Sequence, residues 1–330
     1  MVSVNRDDLR TSPRRPVVAA FPALLRRAAL RIAATCALAA FAWSAGQTAL
    51  AAGAKQLDFA SADQAVEALA AAVRANDTAE LLKILGPGGR NLVFSGDPIS
   101  DKEGRAGFAE RFDHEHKLQM EGDDKATLSI GNEEWPFPIP LVKTGERWHF
   151  DTKTGVAEIL ARRVGRNELN TIEVCRAYVD AQHEYATTHA SGSPYMEYAQ
   201  KFMSTSGKRD GLYWPVADGE TPSPMGPLVA GARAEGYSSE REPYHGYYYK
   251  ILTRQGPNAQ GGAYDYVVHN RMIGGFALVA FPVKYGDSGV MTFLVNHDGI
   301  VYQKDLGPKT AEIARRMSAF NPDSTWTEVK

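Results

Sequence analysis

The run GGFALVAFPV, residues 274–283, is almost continuously apolar, which predicts a strand in the centre of a sheet. Two further strands, 289–295 and 300–306, flank the four residues from Asn296 to Gly299. Asp-Gly readily supplies the positive φ that a tight hairpin requires, so these two strands are predicted to pair. Together with the strand segments that begin at Tyr244, they predict an antiparallel meander, followed by a helix over 310–320.

The chain after residue 60 begins with helical patterns. Ser61 and Gln64 have the spacing of a capping box, and Asp77 with Glu80 repeats the start signal before a second helix. Gly86-Pro87 ends that second helix, because proline can neither donate to nor continue the hydrogen-bond ladder. A third helix is predicted around 101–113.

Three short strands follow, at 126–130, 137–143 and 147–151, each rich in aromatic or β-branched residues. Prolines at alternating positions, 136, 138 and 140, indicate a strand at a sheet border. Helices followed by a curved antiparallel sheet resemble the nuclear-transport-factor-like cone. The predicted fold class is therefore α+β.

A helix over 155–165, ended by Gly165, and a longer helix capped by Asn170 place a domain boundary near residue 165. The prediction is an N-terminal α+β domain over 52–165 and a C-terminal domain over 166–330, with one long helix and an antiparallel meander. That second arrangement resembles the globular part of type II secretion pseudopilins. Residues 204–243 are rich in glycine, proline and serine and predict a long surface loop.

The first 51 residues have the composition of a secretory signal peptide. Arginines precede an apolar run from Ile32 to Trp43, and the small residues Ala49 and Ala51 mark a cleavage site after residue 51. The alternative is an uncleaved membrane anchor. The apolar run is shorter than the ~20 residues that span a bilayer, which favours cleavage. We therefore expect an exported protein, periplasmic or secreted, without a membrane span after processing.

Cleavage would change the charge of the protein. It removes seven of 37 basic and two of 39 acidic residues, which leaves 30 against 37 and a net charge of −7. Such a mildly acidic protein without a basic block is not expected to bind nucleic acid. Cys175 would be the remaining cysteine, which excludes an intrachain disulfide. The paired glycines lack the spacing of phosphate-binding loops, and no cofactor is expected.

The segment from Gly286 to Gly289 reads Gly-Asp-Ser-Gly, the sequence around the nucleophile of chymotrypsin-like proteases. Such an enzyme also needs an imidazole, a carboxylate and oxyanion donors, and the strands of its double barrel are missing from the pattern. These four residue types are common in turns. We interpret the segment as a turn and predict no catalytic residue.

Histidine and cysteine offer two weaker candidates. His114 and His116, with His149 in a neighbouring hairpin, have residue types that bind metals, but a zinc site needs three or four converging ligands, and the pair lies at a helix end. No metal site is therefore predicted. Cys175 lies on the apolar stripe of its helix, which predicts a buried structural thiol.

The C-terminal sheet region is rich in tyrosine. We select five tyrosines as a candidate contact surface, because tyrosine stacks on sugars or anchors a protein partner at low entropic cost. The alternative is packing between neighbouring strands. The five residues are Tyr247, Tyr248, Tyr249, Tyr264 and Tyr266.

Long stretches of the chain, among them PFPIPLVK, RRVGRNEL, AYVDAQHEYA, YHGYYYKILTRQGPNAQGG and VKYGDSGVMTFLVNHDGIVYQKDLG, resemble one bacterial exported family, the domain of unknown function 2950. The resemblance implies a bacterial source and a location in the cell envelope. It implies no catalytic residue.

Two functions remain open. The first is a non-catalytic role in binding or assembly in the periplasm, with an envelope protein or a glycan as the unidentified partner. The alternative is a periplasmic hydrolase of cell-wall or extracellular substrates. A cleft lined by carboxylate or histidine groups with shifted pKa values would favour the hydrolase. A flat, exposed aromatic patch would favour binding.

Overall fold

The structure is a computed structural model that describes residues 55–188, 195–217, 219–238 and 242–330. The predicted signal peptide, with Ala49 and Ala51, lies outside the described residues.

The N-terminal helices begin where the capping signals predict. Helix α1 spans Ala62–Arg74, and the Ser61 hydroxyl accepts a hydrogen bond of 3.2 Å from the backbone amide of Gln64. Helix α2 spans Thr78–Leu85, is capped by the Asp77 carboxylate and ends at Gly86, whose φ is 70°. A short 3₁₀ turn over Pro87–Gly89 leads into α3, Arg90–Val93, and then into α4, Pro98–His114.

An antiparallel sheet covers these helices. Its order is β1-β2-β4-β5, with β3 pairing β2. The strand predicted at 137–143 is shorter than expected and spans Leu141–Thr144. Residues 137–140 include two prolines and lie outside the regular pairing of the sheet. The strand over 116–120 was not predicted. The strands are β1, His116–Met120; β2, Lys125–Ile130; β3, Trp135–Pro136; β4, Leu141–Thr144; and β5, Arg147–Phe150.

Helix α5, Thr152–Thr188, is one continuous helix of 37 residues. The predicted helix end at Gly165 and the new start at Asn170 are therefore wrong. A Cβ added at Gly165 would meet no atom within 4 Å, so this residue is a tolerated glycine inside the helix.

The C-terminal half is a second antiparallel sheet of order β15-β13-β12-β11-β6. The predicted central strand is confirmed: β11 is buried along its whole length between β12 and β6. The predicted hairpin is also confirmed, because β12 pairs β13 across Gly299, whose φ is 78°. These strands are β6, Tyr247–Leu252; β11, Ala277–Pro282; β12, Met291–Asn296; β13, Val301–Asp305; and β15, Thr327–Glu328.

Short elements complete this half. Helix α6, Gly226–Ala234, lies within the predicted loop 204–243, and α7, Thr310–Arg316, follows the sheet. Strand β14 pairs β7 in parallel and β7 pairs β8, whereas β9 and β10 form a separate pair. These strands are β7, Arg254–Gln255; β8, Tyr264–Asp265; β9, Val267–Val268; β10, Arg271–Met272; and β14, Ala319–Phe320.

The α+β fold class is thus confirmed. One hydrophobic core lies between the N-terminal helices and their sheet, and a second lies between α5 and the C-terminal sheet. Residues from Ala54 to Lys330 group into one compact unit, so the division into two domains at residue 165 stays a prediction. No helix among the described residues combines the length and apolarity needed to cross a bilayer.

Candidate ligand cavity and the predicted site residues

The Gly-Asp-Ser-Gly segment is a turn, as predicted. The amide of Gly286 donates to the carbonyl of Gly289, and the Ser288 hydroxyl exchanges hydrogen bonds with the backbone of Lys284 at 3.0 and 3.2 Å. A Cβ at Gly289 would lie 2.1 Å from the hydroxyl of Tyr247, so only glycine fits there. The serine is fully buried, and its hydroxyl is hydrogen-bonded within its own turn.

This turn also connects the two halves of the protein. The side-chain amide of Asn167 donates to the carbonyl of Ser288 at 2.9 Å. Lys284 pairs with Asp287 and donates to the side chain of Asn91 at 3.0 Å. The residue types that resemble a protease motif therefore hold the C-terminal sheet against α5 and the N-terminal helices.

The surroundings of the histidine and cysteine candidates indicate structural roles for them. His116 stacks on Phe112 with ring centroids 3.9 Å apart, and its Nδ1 lies 3.0 Å from the Phe112 carbonyl oxygen. Among the described residues, no three His, Cys, Asp or Glu side chains are grouped so that they could hold a metal ion. The buried position of Cys175 is confirmed, and burial raises the pKa of its thiol to about 12.

The five predicted contact tyrosines do not form one surface. Tyr247 and Tyr266 are fully buried, because their rings fill the C-terminal core and their hydroxyls donate to Met291 O and Gln255 Oε1, each at 3.0 Å. They cannot belong to a contact surface. Tyr248 and Tyr249 are half-buried, and Tyr264 is 38% exposed. Packing between strands, the alternative interpretation, accounts for the two buried rings.

Tyr248 and Tyr249 instead line a cavity of about 200 Å³ in the C-terminal half. Tyr213, from the 204–243 segment, also lines it, as do Tyr237 and Tyr244. Most of the remaining lining is apolar, including Val174, Met225 and Leu228. The segment predicted as a surface loop therefore packs over the tyrosine-rich strand.

A buried polar cluster joins the halves beside this cavity. Asp97 caps α4 through the Ser100 amide and also accepts from the Tyr237 hydroxyl and the Gly246 amide, both at 2.9 Å. Nearby, His245 Nε2 lies 3.8 Å from Glu235 Oε2. Burial lowers the pKa of His245 and raises that of Glu235. Neither His245 nor Glu235 lines this cavity or the second cavity, which lies in the N-terminal half.

The larger cavity, of about 340 Å³, lies in the N-terminal half. Ligand sites in proteins usually have volumes of ~300–1,000 Å³, so this cavity is large enough for a small organic molecule. Its walls come from α1 to α4, the strands β2 and β3, the segment that follows β3, and α5. Apolar side chains line its interior, among them Leu69, Leu85, Phe108, Ile130, Phe137 and Ile159.

Five arginines line the same cavity: Arg105, Arg111, Arg162, Arg163 and Arg166. Two of them are on α4 and three on α5. Ile159, Arg162, Arg163 and Arg166 recur at helical spacing, so α5 presents one apolar and three basic side chains to the cavity. Among the described residues of this lining, Asp101 is the one carboxylate.

Two of the arginines are held in place by the backbone of the α3 segment. Arg163 donates to the carbonyls of Asn91 and Leu92 at 2.7 and 2.6 Å. Arg105 donates to the carbonyl of Val93 at 3.1 Å. These bonds satisfy carbonyls at the end of a short helix and fix both guanidinium groups at the cavity.

Most of this positive charge has no ion-pair partner among the described residues. Arg162 pairs with Glu158 at 2.6 Å and lies over the Trp135 ring, 4.9 Å from its centroid. In the described parts of the chain, the other four arginines form no ion pair. Those four are Arg105, Arg111, Arg163 and Arg166.

The electrostatic surroundings agree with this crowding of positive charge. Burial lowers the pKa of Arg163. The negative charges of Asp101 and Asp287 oppose this shift, and the positive charges of Arg166 and Arg105 add to it. Burial also raises the pKa of Asp101, which accepts a hydrogen bond of 2.9 Å from the Ser95 amide. Partly buried charge without a partner is costly in free energy, so an anion in this cavity would be stabilised.

Comparison with protein families identifies the chain. A family model described as "Protein of unknown function (DUF2950)" matches residues 56–329. The chain belongs to this family. The DUF2950 match covers both hydrophobic cores and both cavities, and the family resemblance stated from the sequence is confirmed. Among curated proteins and solved structures, no significant match to this DUF2950 protein was found. The likenesses to the nuclear-transport-factor-like cone and to pseudopilins stay predictions.

Proposed function

We propose that this DUF2950 protein binds a small anionic ligand with an apolar body, and that it does so as an exported protein of the bacterial envelope. The observation that carries the proposal is the combination of an apolar cavity with four arginines that have no ion pair to a described residue. The apolar part of the ligand would occupy the interior, where Leu69, Phe108 and Phe137 lie, and its anionic group would lie among the guanidiniums.

The proposal favours binding over hydrolysis. The hydrolase alternative needs carboxylate or histidine groups that converge on a cleft. Glu235 and His245, whose pKa values burial shifts, lie outside both cavities described above. Asp101 in the N-terminal cavity is bonded to the Ser95 amide and surrounded by arginines, which suits a role in balancing charge.

The test is binding of octanoate and octyl sulfonate, measured by calorimetry and by displacement of fluorescent anilinonaphthalene sulfonate. Arg166→Gln removes an exposed guanidinium from the cavity lining without breaking a hydrogen bond between described residues. We expect it to weaken binding about tenfold or more, since hydrogen bonds to charged groups contribute ~1.5–3 kcal/mol.

Arg176→Gln is the matched control, because Arg176 is exposed on the same helix and pairs with Glu173 away from the cavity. It should leave the affinity unchanged. Equal affinities of the wild type and Arg166→Gln, or no binding of either octyl anion, would contradict the proposed function.

The envelope location has a separate test. Cell fractionation of the producing bacterium, with mass spectrometry of the N-terminus, should recover a chain that begins at residue 52 in the periplasm or the medium. Recovery of the unprocessed chain in the cytosol would refute the export part of the proposal and leave the binding part standing.

A further inference from the structure

The charge balance of the N-terminal cavity constrains the head group of its ligand. The four arginines without an ion pair to a described residue carry four positive charges. Asp101 in the lining and Glu103, which interacts electrostatically with Arg166, offset two of them when ionised, and Asp287 near Arg163 is paired with Lys284, which leaves two. A monoanionic head group would leave one of these charges uncompensated. Charge complementarity therefore favours a head group with two negative charges.

The hydrogen-bonding capacity of the lining leads to the same class of ligand. Arg105 uses one N–H on the Asn76 side chain at 2.6 Å and one on the Val93 carbonyl at 3.1 Å. Arg163 likewise uses two, on Asn91 and Leu92. A guanidinium has more donors than these bonds occupy, so both keep N–H groups for a ligand while their positions are fixed.

Arg111 and Arg166, which are both exposed, add further N–H donors to this cavity. The Nε of Arg111 donates to the carbonyl of Gly107, and no hydrogen bond joins Arg166 to another described residue. Four guanidiniums offer more donors than a carboxylate with two oxygens can accept. A terminal phosphate has three acceptor oxygens and suits arginine forks well.

We propose that the ligand of the N-terminal cavity is a phosphate monoester: a dianionic phosphate on an apolar body. This inference rests on the proposed function and names the ligand class for the same site. The chemistry is shared by soluble alkyl or aryl phosphates and by lipids that end in a phosphate monoester. Its apolar body occupies the interior beside Phe108 and Phe137, and its phosphate contacts Arg105, Arg163 and Arg166.

The test compares octyl phosphate with octyl sulfonate, which has the same tail and a fixed single charge. Phosphate monoesters lose their second proton near pH ~6, so we expect octyl phosphate to bind about tenfold more tightly at about pH 8 than at about pH 5. The sulfonate reports titration of the protein's own groups at the cavity, which include Asp101 in the lining and Glu158 beside Arg162. Glu103 and His245, which interact electrostatically with Arg166, and Asp287, which interacts with Arg163, are also among these groups. The change in affinity for octyl sulfonate between the two pH values is subtracted from the change in affinity for octyl phosphate.

A variant gives a second, independent readout. Arg166→Gln should reduce the affinity for octyl phosphate about threefold more than that for octyl sulfonate, since a charge interacts more strongly with a dianion. Arg176→Gln should alter neither affinity. Equal losses for the two ligands, or equal pH profiles, would overturn the phosphate assignment while the proposed function stands. Absence of binding by both would refute the proposed function as well.

Two further probes identify the source of the phosphate. Binding of octyl phosphate without transfer of phosphatidic acid from vesicles would support a soluble ligand. Transfer of phosphatidic acid, but not of the diester phosphatidylglycerol, would support a lipid. Inorganic phosphate that binds as tightly as octyl phosphate would contradict the role of the apolar interior and overturn the assignment.

Discussion

The hydroxyl of Tyr237 donates a hydrogen bond of 2.9 Å to the buried carboxylate of Asp97, a residue 140 positions earlier in the chain. The same carboxylate caps α4 and accepts from the Gly246 amide. One side chain thus fixes the start of an N-terminal helix, a residue of the 204–243 segment and the turn before β6.

Tyr237→Phe removes the hydroxyl and leaves Asp97 with fewer donors. We expect the free energy of unfolding to fall by about 1.5–3 kcal/mol, as for other hydrogen bonds to charged groups, measured by denaturant titration. Tyr264→Phe, at an exposed tyrosine, should change stability by less than ~0.5 kcal/mol. Similar small losses for both variants would show that the Asp97 contact contributes little.

Two glycines of α5 should respond in opposite directions to alanine. A Cβ at Gly155 would lie 2.4 Å from the Pro138 carbonyl oxygen, so Gly155→Ala should destabilise the protein by about 1–3 kcal/mol. Gly165 has no neighbour near its Cβ position, and Gly165→Ala should stabilise the helix by roughly 0.5–1 kcal/mol. Thermal melting of both variants tests the pair, and a loss of stability in Gly165→Ala would argue against a continuous helix there.

Asp101→Asn should tighten binding of octyl sulfonate. The substitution removes the negative charge from the cavity lining but keeps an oxygen that can accept from the Ser95 amide. At an effective dielectric constant of ~20, a charge several ångströms away contributes roughly 1–2 kcal/mol, which is about a five- to thirtyfold change. Calorimetry at about pH 8 measures the effect. Weaker binding in Asp101→Asn would mean that this carboxylate contacts the ligand directly.

Alkaline pH should unfold the protein through its buried and half-buried tyrosines. Burial raises the pKa of Tyr244 to about 12 and raises the pKa values of Tyr178 and Tyr249 above their usual range. A group with a raised pKa in the folded state contributes its full stability below its unfolded pKa, near 10, and loses it as the pH rises through the folded value. Stability should therefore decline above about pH 10.

Urea titrations at increasing pH, with ultraviolet absorbance to detect tyrosinate, check this expectation. Tyr244→Phe removes one of the groups and should reduce the steepness of the decline. Stability that stays constant while tyrosinate appears would show that these hydroxyls ionise without unfolding.

The sequence predicted the elements whose signals are local. The capping residues Ser61 and Asp77 and the Asp298-Gly299 turn act on their immediate neighbours, and the structure places them as expected. Gly165 misled the prediction, because a glycine ends a helix only where the backbone needs its freedom, and packing overrides its low propensity here. Strand β1 was missed because most of its side chains are exposed and show no apolar alternation.

The candidate site was not predicted. Its arginines lie on two helices, α4 and α5, and their convergence depends on how those helices pack. One signal was present: Ile159, Arg162, Arg163 and Arg166 share a helix face, yet the same pattern is typical of a solvated surface. The tyrosine prediction failed in part for a related reason, since residue type alone did not distinguish a core ring such as Tyr247 from an exposed ring such as Tyr264.

Helix α5 extends about 55 Å at the usual rise of ~1.5 Å per residue. Its first turn is tied to the N-terminal core by the bond from the Thr152 hydroxyl to the Leu85 carbonyl, and Cys175 and Tyr178 lie in the other core. A break in α5 would remove a packing surface from both hydrophobic cores at once. Melting should therefore proceed as a single cooperative transition, and fragments cut at residue 165 should not hold their shape in isolation.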